Sequence, residues 1–282
     1  MKLKLFLGII LLLGVKSFSQ NTQVPFETLL DMASKDNALA QYQMGLCYLN
    51  GQGTVKNYFM ATHWFSYAYR NKNQNIISDL KTPSFKALYP GFHEFLLGLV
   101  ESHYKNNKHL ASRYYWEAYN LCGLRECLMY HYMYNPSPNL TSEQKDSINR
   151  LMQTTEPFCQ VVFGEQMLRN RTYKDTIQGL ILVTEAINKN FPYGHNVMGF
   201  FYAYDKHPYY NESLSAYHLL QAEKHKYLEY HSSRLLSYYY ESGTSGLEKD
   251  MKRVESLEKN YIEPRKVLED FLKFLDSNEV LK

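Results

Sequence analysis

Along most of the chain, hydrophobic and small residues recur at the spacing of α-helices, and the predicted helices come in pairs. In the clearest pair, Gly45 and Tyr48 lie on the first segment, and Ala61, Trp64 and Ala68 lie on the second. Residues three or four positions apart share one face of a helix. Small residues there leave room for a neighbouring backbone, and aromatic rings fill the space beside it. The pattern therefore predicts two closely packed helices.

The same pattern returns along the chain, which indicates an internal repeat. Gly164 and Gly199, which begin two further copies, are 35 residues apart. The residues that we expect to pack between helices are Gly45, Tyr48, Ala61, Trp64, Ala68, Gly98, Ala111, Ala118, Gly164, Ala186, Gly199, Tyr202 and Ala222. A repeat of this period is typical of stacked helix pairs, because short helices bury enough surface only when neighbours stack on them. The predicted fold is all-α: an α-solenoid of about five to six helix-turn-helix repeats over residues 37–260.

Both ends of the repeat region are predicted to be covered by a capping helix, at residues 20–36 and at residues 261–282. Solenoids need terminal helices with a polar outer face. Between the clear copies, Leu124–Tyr134 and Glu143–Met152 are predicted to form one more pair. An insertion rich in Asn, Pro and Gly interrupts the repeat at residues 72–91.

The first nineteen residues have the features of a secretory signal peptide. Lys2 and Lys4 precede the short apolar run Leu5–Val15, and small residues precede a cut ahead of Gln20. We therefore expect an exported protein, periplasmic or extracellular. The cut lacks the neighbouring Cys of a lipoprotein. No other stretch is apolar for long enough to cross a membrane.

The net charge of +3 comes from that leader. Lys2, Lys4 and Lys16 lie in it or beside its apolar run, and the remaining acidic and basic residues balance. No basic stripe stands out, and this argues against a nucleic-acid partner. It also gives no reason to expect an acidic partner or anionic lipid.

Four cysteines follow the predicted leader: Cys47, Cys122, Cys127 and Cys159. An even number in an oxidising compartment permits disulfides. In one continuous helix, Cys122 and Cys127 would be about 8–9 Å apart, which is beyond disulfide reach. Gly123 indicates a chain reversal, however, and a bridge across that turn is then feasible. The cysteines lack the paired spacing of metal sites, so no metal is predicted.

Tyrosine is unusually abundant, with 26 residues against 2 Trp. Tyr can fill helix interfaces while its hydroxyl reaches water at the edge. It is also favoured where proteins bind partners. Tyr204, Tyr238 and Tyr240 are additional to the one Tyr position that each of their helices uses for packing. They are our candidates for partner contacts on the concave face.

Catalytic motifs are not found in the sequence. Metalloprotease, phosphate-loop and dinucleotide motifs are missing, and no cofactor is predicted. Ser-x-x-Lys occurs at Ser78–Lys81 and at Ser142–Lys145, but without the Lys-Thr-Gly that accompanies it in penicillin-recognising enzymes. His63 and His218 lie in predicted repeat helices, where a structural role is expected.

The run from Ala40 to Asn57, followed by Ala61-Thr62-His63-Trp64, resembles the Sel-1-like repeat, a relative of the tetratricopeptide repeat. The family pattern has Gly-x-Gly, Lys-Asp and Ala-x-x-Trp at these places, and Asn57 stands where Asp is usual. The resemblance covers most of residues 37–260. It implies a right-handed α-solenoid with a concave surface and an adaptor or scaffold role. The shared positions are packing positions.

These observations favour an exported repeat protein that binds a protein or peptide partner in the cell envelope. Two alternatives stay open. One is a β-lactam-hydrolase-like enzyme of the cysteine-rich secreted repeat type, although this chain lacks the regular cysteine pairs of that type. The other is a periplasmic immunity protein that blocks a toxin.

Overall fold

The computed structural model describes residues 24–134, 142, 156–170, 172–206, 208–260 and 263–281, and within these residues the regular structure is entirely helical. The helices are α1 Phe26–Ser34, α2 Ala38–Asn50, α3 Tyr58–Arg70, α4 Asn75–Leu80, α5 Pro83–Leu88, α6 Phe92–Leu99 with a π-helical turn Val100–Tyr104, α7 Lys108–Cys122, α8 Arg125–Tyr134, α9 Pro157–Asn170, α10 Tyr173–Asn188, α11 Tyr193–Ala203, α12 Glu212–Lys224, α13 Tyr230–Ser242, α14 Met251–Asn260 and α15 Glu263–Ser277. The predicted leader and the predicted helix Glu143–Met152 lie outside the described residues.

Consecutive helices pack together in pairs, which confirms the predicted all-α solenoid. The pairs are α2 with α3, α6 with α7, α9 with α10, α11 with α12, and α13 with α14. Helix α8 packs against α7 before it and α9 after it. We call α2, α6, α8, α9, α11 and α13 the first helices. Among the described residues, no helix has the length and apolarity needed to cross a membrane.

Asparagine caps begin the second helix in three of the pairs. The side-chain oxygen of Asn57 accepts a hydrogen bond from the amide of Met60 at 2.6 Å. Asn107 and Asn211 cap α7 and α12 in the same way. An N-cap side chain satisfies an amide that the helix leaves without a partner. Asn57 is therefore the N-cap residue of α3.

A glycine on each of four first helices lies directly against a large side chain of the paired helix. A Cβ atom on Gly45 would lie 2.3 Å from Cε1 of Phe65. The glycines and their facing residues are Gly45 with Phe65, Gly98 with Tyr115, Gly164 with Val183, and Gly199 with Leu219. Each facing residue follows the small residue of its second helix by four positions, so the pattern is small-x-x-x-large.

Almost all the residues that we expected between helices are buried. Tyr48, Ala61, Trp64, Ala68, Ala111, Ala118, Ala186 and Ala222 have 0 % exposure. The four glycines Gly45, Gly98, Gly164 and Gly199 are buried as well. Tyr202 is half-buried, and its ring stacks on His218 with centroids 5.8 Å apart.

The solenoid curls far enough for its first and later pairs to touch. The Tyr48 hydroxyl donates to the carbonyl of Asn190 at 2.8 Å, and the Asn190 side chain donates to the carbonyl of Gly53 at 2.9 Å. An ion pair of 3.1 Å joins Lys226 to Asp36. These contacts bridge well over a hundred residues of chain, and most of the pairs share one large core. A second, smaller core lies between α12, α13 and α14.

Aromatic rings fill much of this interior, and they account for part of the tyrosine excess. The Tyr130 ring lies within 5.4 Å of the rings of Phe95, Tyr115 and Phe158. Tyr227 reaches the ring of His63 from the loop after α12. The interior of the superhelix is thus occupied by the protein's own side chains.

Helix α15 packs chiefly on α3 and the π-helical turn. Its Phe271 and Phe274 rings contact Tyr69, and its Asp276 pairs with Lys105 at 2.7 Å. We expected this helix to cover the last pair, α13 with α14. It packs instead on an earlier part of the stack, because its apolar face contacts the aromatic side chain of Tyr69 on α3. Helix α1 packs on α2, as expected of an N-terminal cap.

Candidate functional site

A pocket of about 260 Å³ lies between α9, α11 and the start of α13. It is lined by Glu165, Leu168, Arg169, Tyr193, Asn196, Val197, Phe200, Phe201, Tyr204 and Glu229. Three consecutive first helices thus contribute to one depression. Ligand sites in helical proteins commonly occupy such places between helices.

Helical spacing explains how the chain brings these residues together. From α9, Glu165, Leu168 and Arg169 lie at relative positions zero, three and four, which share one face. From α11, the lining residues recur at the same spacing from Tyr193 to Tyr204. One face of each helix therefore forms a wall, and the loop before α13 closes the end.

Glu165 is held in place by two hydrogen bonds. One carboxylate oxygen accepts from Nη2 of Arg169 at 2.5 Å, and the other accepts from the hydroxyl of Tyr193 at 2.9 Å. Asn196 fixes the loop opposite. Its side chain accepts from the Glu229 amide at 3.2 Å and donates to the Tyr227 carbonyl at 2.7 Å. The polar part of the pocket is thus formed before any ligand arrives.

The second carboxylate of the pocket, Glu229, is differently placed. It is the N-cap residue of α13, but its side chain makes no capping hydrogen bond. No residue in the described part of the chain pairs with its carboxylate. Glu229 is exposed as a residue, but the protein around its carboxyl displaces part of the water and raises the pKa of that group, and the charge of Glu165 adds to the effect. Glu229 is therefore an unpaired acid at the edge of the pocket.

Aromatic rings stand at the mouth of the pocket. Phe200 is 39 % exposed and Tyr204 is 37 % exposed. The Phe200 ring lies 6.5 Å from the ring of His231 on α13. Large apolar side chains grouped at a pocket mouth are a common feature of surfaces that bind partners.

The structure separates the three tyrosines that we expected on one binding surface. Tyr204 lines the pocket. Tyr238 is 54 % exposed on α13 but does not line it. Tyr240 is half-buried beneath the Arg253 guanidinium, 5.5 Å from the ring centre. Residues 238 and 240 are two positions apart, so they leave the helix in different directions.

Sequence reasoning missed Glu165, Tyr193, Phe200 and Glu229. Tyr193, Phe200 and Tyr204 follow a helical stripe that could have been found in the sequence. The two acids could not, because Glu165 and Glu229 lie on different pairs and meet only through the packing of α9 and α13 around α11.

Four histidines cluster where the first pair, α2 with α3, meets the pair α11 with α12. His63, His195 and His225 are buried, and His218 is half-buried. Nδ1 of His195 lies 2.9 Å from Nδ1 of His218, and Nε2 of His63 lies 3.2 Å from the carbonyl of His225. Burial lowers the pKa of His63 and His218 to about 4, and that of His195 and His225 to about 3. The cluster is neutral at pH 7. No group of three potential metal ligands occurs in the described parts of the chain.

Cys122 and Cys127 are brought close together by the turn at Gly123. Helix α7 ends at Cys122, Gly123 adopts a φ of 69°, and the two Sγ atoms lie 3.8 Å apart. Both residues are thiols in the structure, as are Cys47 and Cys159. The turn therefore places the two thiols in contact.

The Ser-x-x-Lys motif at Ser78 lies on the short helix α4. The Ser78 hydroxyl donates to the Gln74 carbonyl at 3.4 Å, as an exposed helical serine commonly does. Lys145 of the second motif lies outside the described residues.

No protein-family model matches the chain, and no curated protein matches it either. What the protein binds is therefore inferred from its own pocket and surface.

Proposed function

We propose that this chain is an exported helical-repeat protein that binds a segment of a partner protein across the first helices α9, α11 and α13. The observation that carries the proposal is the pocket between these helices, with Phe200 and Tyr204 exposed at its mouth. Repeat proteins of this architecture commonly use such faces for binding, without bond-making. Binding energy in interfaces concentrates in a few aromatic and charged anchors seated in pockets.

The filled interior supports the same location. Rings such as Tyr130 and Phe158 occupy the space that an open superhelix would offer to a ligand. A partner segment would therefore bind at a depression that is open to solvent. The pocket beside Tyr204 is a depression of this kind.

Relationship to the Sel-1-like repeats remains part of the proposal. It is supported by Gly45 seated on Phe65 and by Asn57 as the cap of α3. Export is proposed from the leader-like first nineteen residues. A Sel-1-like repeat protein that is exported would act as an adaptor or scaffold in the cell envelope.

The proposal is tested by affinity capture with the full chain, expressed with its own leader and a C-terminal tag. The pocket variant carries Phe200→Ala and Tyr204→Ala. The matched control carries Tyr173→Ala and Tyr217→Ala, which remove two exposed rings outside the pocket, 78 % and 53 % exposed. We expect one stoichiometric partner with the wild type and the control, and its loss with the pocket variant.

Other outcomes have definite meanings. Equal capture by both variants would contradict binding at the pocket. A toxin as the captured partner would make immunity the specific form of the proposal. Hydrolysis of a chromogenic β-lactam by the purified chain would contradict a purely binding role.

A further inference from the structure

The pocket carries an imbalance of charge. Its walls hold the carboxylates of Glu165 and Glu229 and one guanidinium, that of Arg169. Arg169 is already bonded to Glu165 at 2.5 Å. Glu229 is left without a counter-charge in the described residues, and Glu165 lies near enough to repel it.

The chemistry of the occupant follows from this imbalance. A carboxylate that loses water without gaining a partner is destabilised. An anionic occupant would add a third negative charge, and a neutral apolar one would remove more water from Glu229. A cationic occupant would instead supply a charge-assisted hydrogen bond to Glu229, which is a strong type of hydrogen bond.

The remaining walls fit a cation carried on an apolar stem. Leu168 and Val197 provide aliphatic surface. The rings of Tyr193, Phe200 and Tyr204 also line the pocket, and a cation within about 6 Å of such a ring is attracted to its face. Lysine and arginine side chains combine a methylene stem with a charged head in this way.

We infer that the pocket seats a lysine or arginine side chain of the bound protein segment, with its charged group at Glu229. The inference rests on the proposed function, because it names the residue type that the segment presents. Glu165 adds negative potential while Arg169 and Tyr193 keep it in place. The rings of Phe200 and Tyr204 cover the alkyl stem.

The test uses four pentapeptides, acetyl-Ala-Ala-X-Ala-Ala-amide, in which X is Arg, Lys, Gln or Glu. The full chain is labelled at its methyl groups, and the Leu168 and Val197 signals are followed by NMR during titration. We expect saturable shifts with Arg and Lys and none with Gln or Glu. Raising the salt concentration should weaken the Arg and Lys binding.

Glu229→Gln is the decisive variant, because Glu229 is exposed and its side chain makes no capping hydrogen bond to α13. Its matched control is Glu241→Gln, an exposed acid of the same helix outside the pocket. We expect Glu229→Gln to weaken binding of the Arg peptide about tenfold or more, since it removes a charged hydrogen-bond acceptor. Glu241→Gln should bind like the wild type.

Three results would overturn the inference, and they are distinct from a failure of the proposed function. If all four peptides bind equally and Glu229→Gln has no effect, the pocket binds segments without needing a basic residue. If methylguanidine alone binds as tightly as the Arg peptide, the site takes a small free cation and not a protein segment. If no peptide shifts the signals of the pocket methyl groups up to millimolar concentration, the pocket does not bind a lysine or arginine side chain. Affinity capture with the Phe200 and Tyr204 variant then tests the proposed function separately.

Discussion

The carboxylate of Glu126, on α8, accepts a hydrogen bond of 2.7 Å from the backbone amide of Tyr58, the first residue of α3. Its other oxygen accepts from the amide of Phe59 at 3.1 Å. Glu126 is only 1 % exposed, and burial followed by the charge of Glu156 raises the pKa of its carboxyl, while the two amides act against that rise. A side chain 67 to 68 residues away in sequence thus completes the start of α3.

We expect Glu126→Ala to destabilise the protein by about 1–3 kcal/mol, because it leaves buried amides of Tyr58 and Phe59 without an acceptor. Glu126→Gln should cost less, since its amide oxygen still accepts one bond. The measurement is the free energy of unfolding in urea. Glu117→Ala, at an exposed site on α7, is the control. If Glu126→Ala unfolds like this control, Glu126 does not secure α3.

The contact between Gly45 and Phe65 makes a prediction about packing. Gly45→Ala places a methyl group where the Phe65 ring lies, and overpacking of this kind costs about 1–3 kcal/mol. Phe65→Leu in the same chain should recover part of that loss, because a smaller side chain frees the space. A double-mutant cycle of unfolding free energies measures the coupling. Strict additivity would show that the two residues do not compete for space.

The histidine cluster predicts a loss of stability in mild acid. The pKa of His195 is about 3 and that of His218 about 4 in the folded protein, against about 6.5 in an unfolded chain. The unfolded state therefore binds more protons at pH values between these limits. The histidine contribution is fully present above about pH 6.5 and is lost as the pH falls toward 4, by up to about 1.4 kcal/mol per pH unit for each histidine.

The pH dependence is measured by urea unfolding at several pH values between 7.5 and 4.5. Burial raises the pKa of the Glu126 and Glu156 carboxyls. Their protonation as the pH falls therefore stabilises the folded state and opposes the effect of the histidines. His218→Gln isolates the histidine effect, because it removes one titrating group and leaves both carboxyls. We expect a shallower loss of stability on acidification in this variant. An unchanged slope would contradict the account of the cluster.

Cys122 and Cys127 are expected to form a disulfide by thiol–disulfide exchange with oxidised glutathione. Two thiols are oxidised to one disulfide, and one glutathione disulfide is reduced to two glutathione thiols. The Sγ separation of 3.8 Å puts the pair within reach. Closing so short a loop should stabilise the fold by about 2 kcal/mol at most. Peptide mapping should show this bridge, with Cys47 and Cys159 outside any disulfide; four unmodified thiols would contradict it.

The pairing of helices could be predicted from the sequence because its signals are local. Gly45 and the small residues of α3 lie within one repeat, and the same pattern of small and large residues recurs in three of the other pairs. The curl of the solenoid could not be predicted in this way. Contacts such as Tyr48 with Asn190 depend on small rotations between successive pairs, which accumulate along the stack and leave no mark at either residue. The pocket acids belong to this second class, since Glu229 becomes part of a site only when α13 packs beside α11.

The most direct test of the central claim, that a partner segment binds at the pocket, is photocrosslinking from the pocket mouth. The full chain is expressed with benzoylphenylalanine in place of Phe200 and, separately, in place of Tyr217, which is exposed on α12. After irradiation, our account predicts one discrete heavier adduct containing a partner protein from position 200 and none from position 217. No adduct from position 200, or the same adduct from both positions, would contradict it.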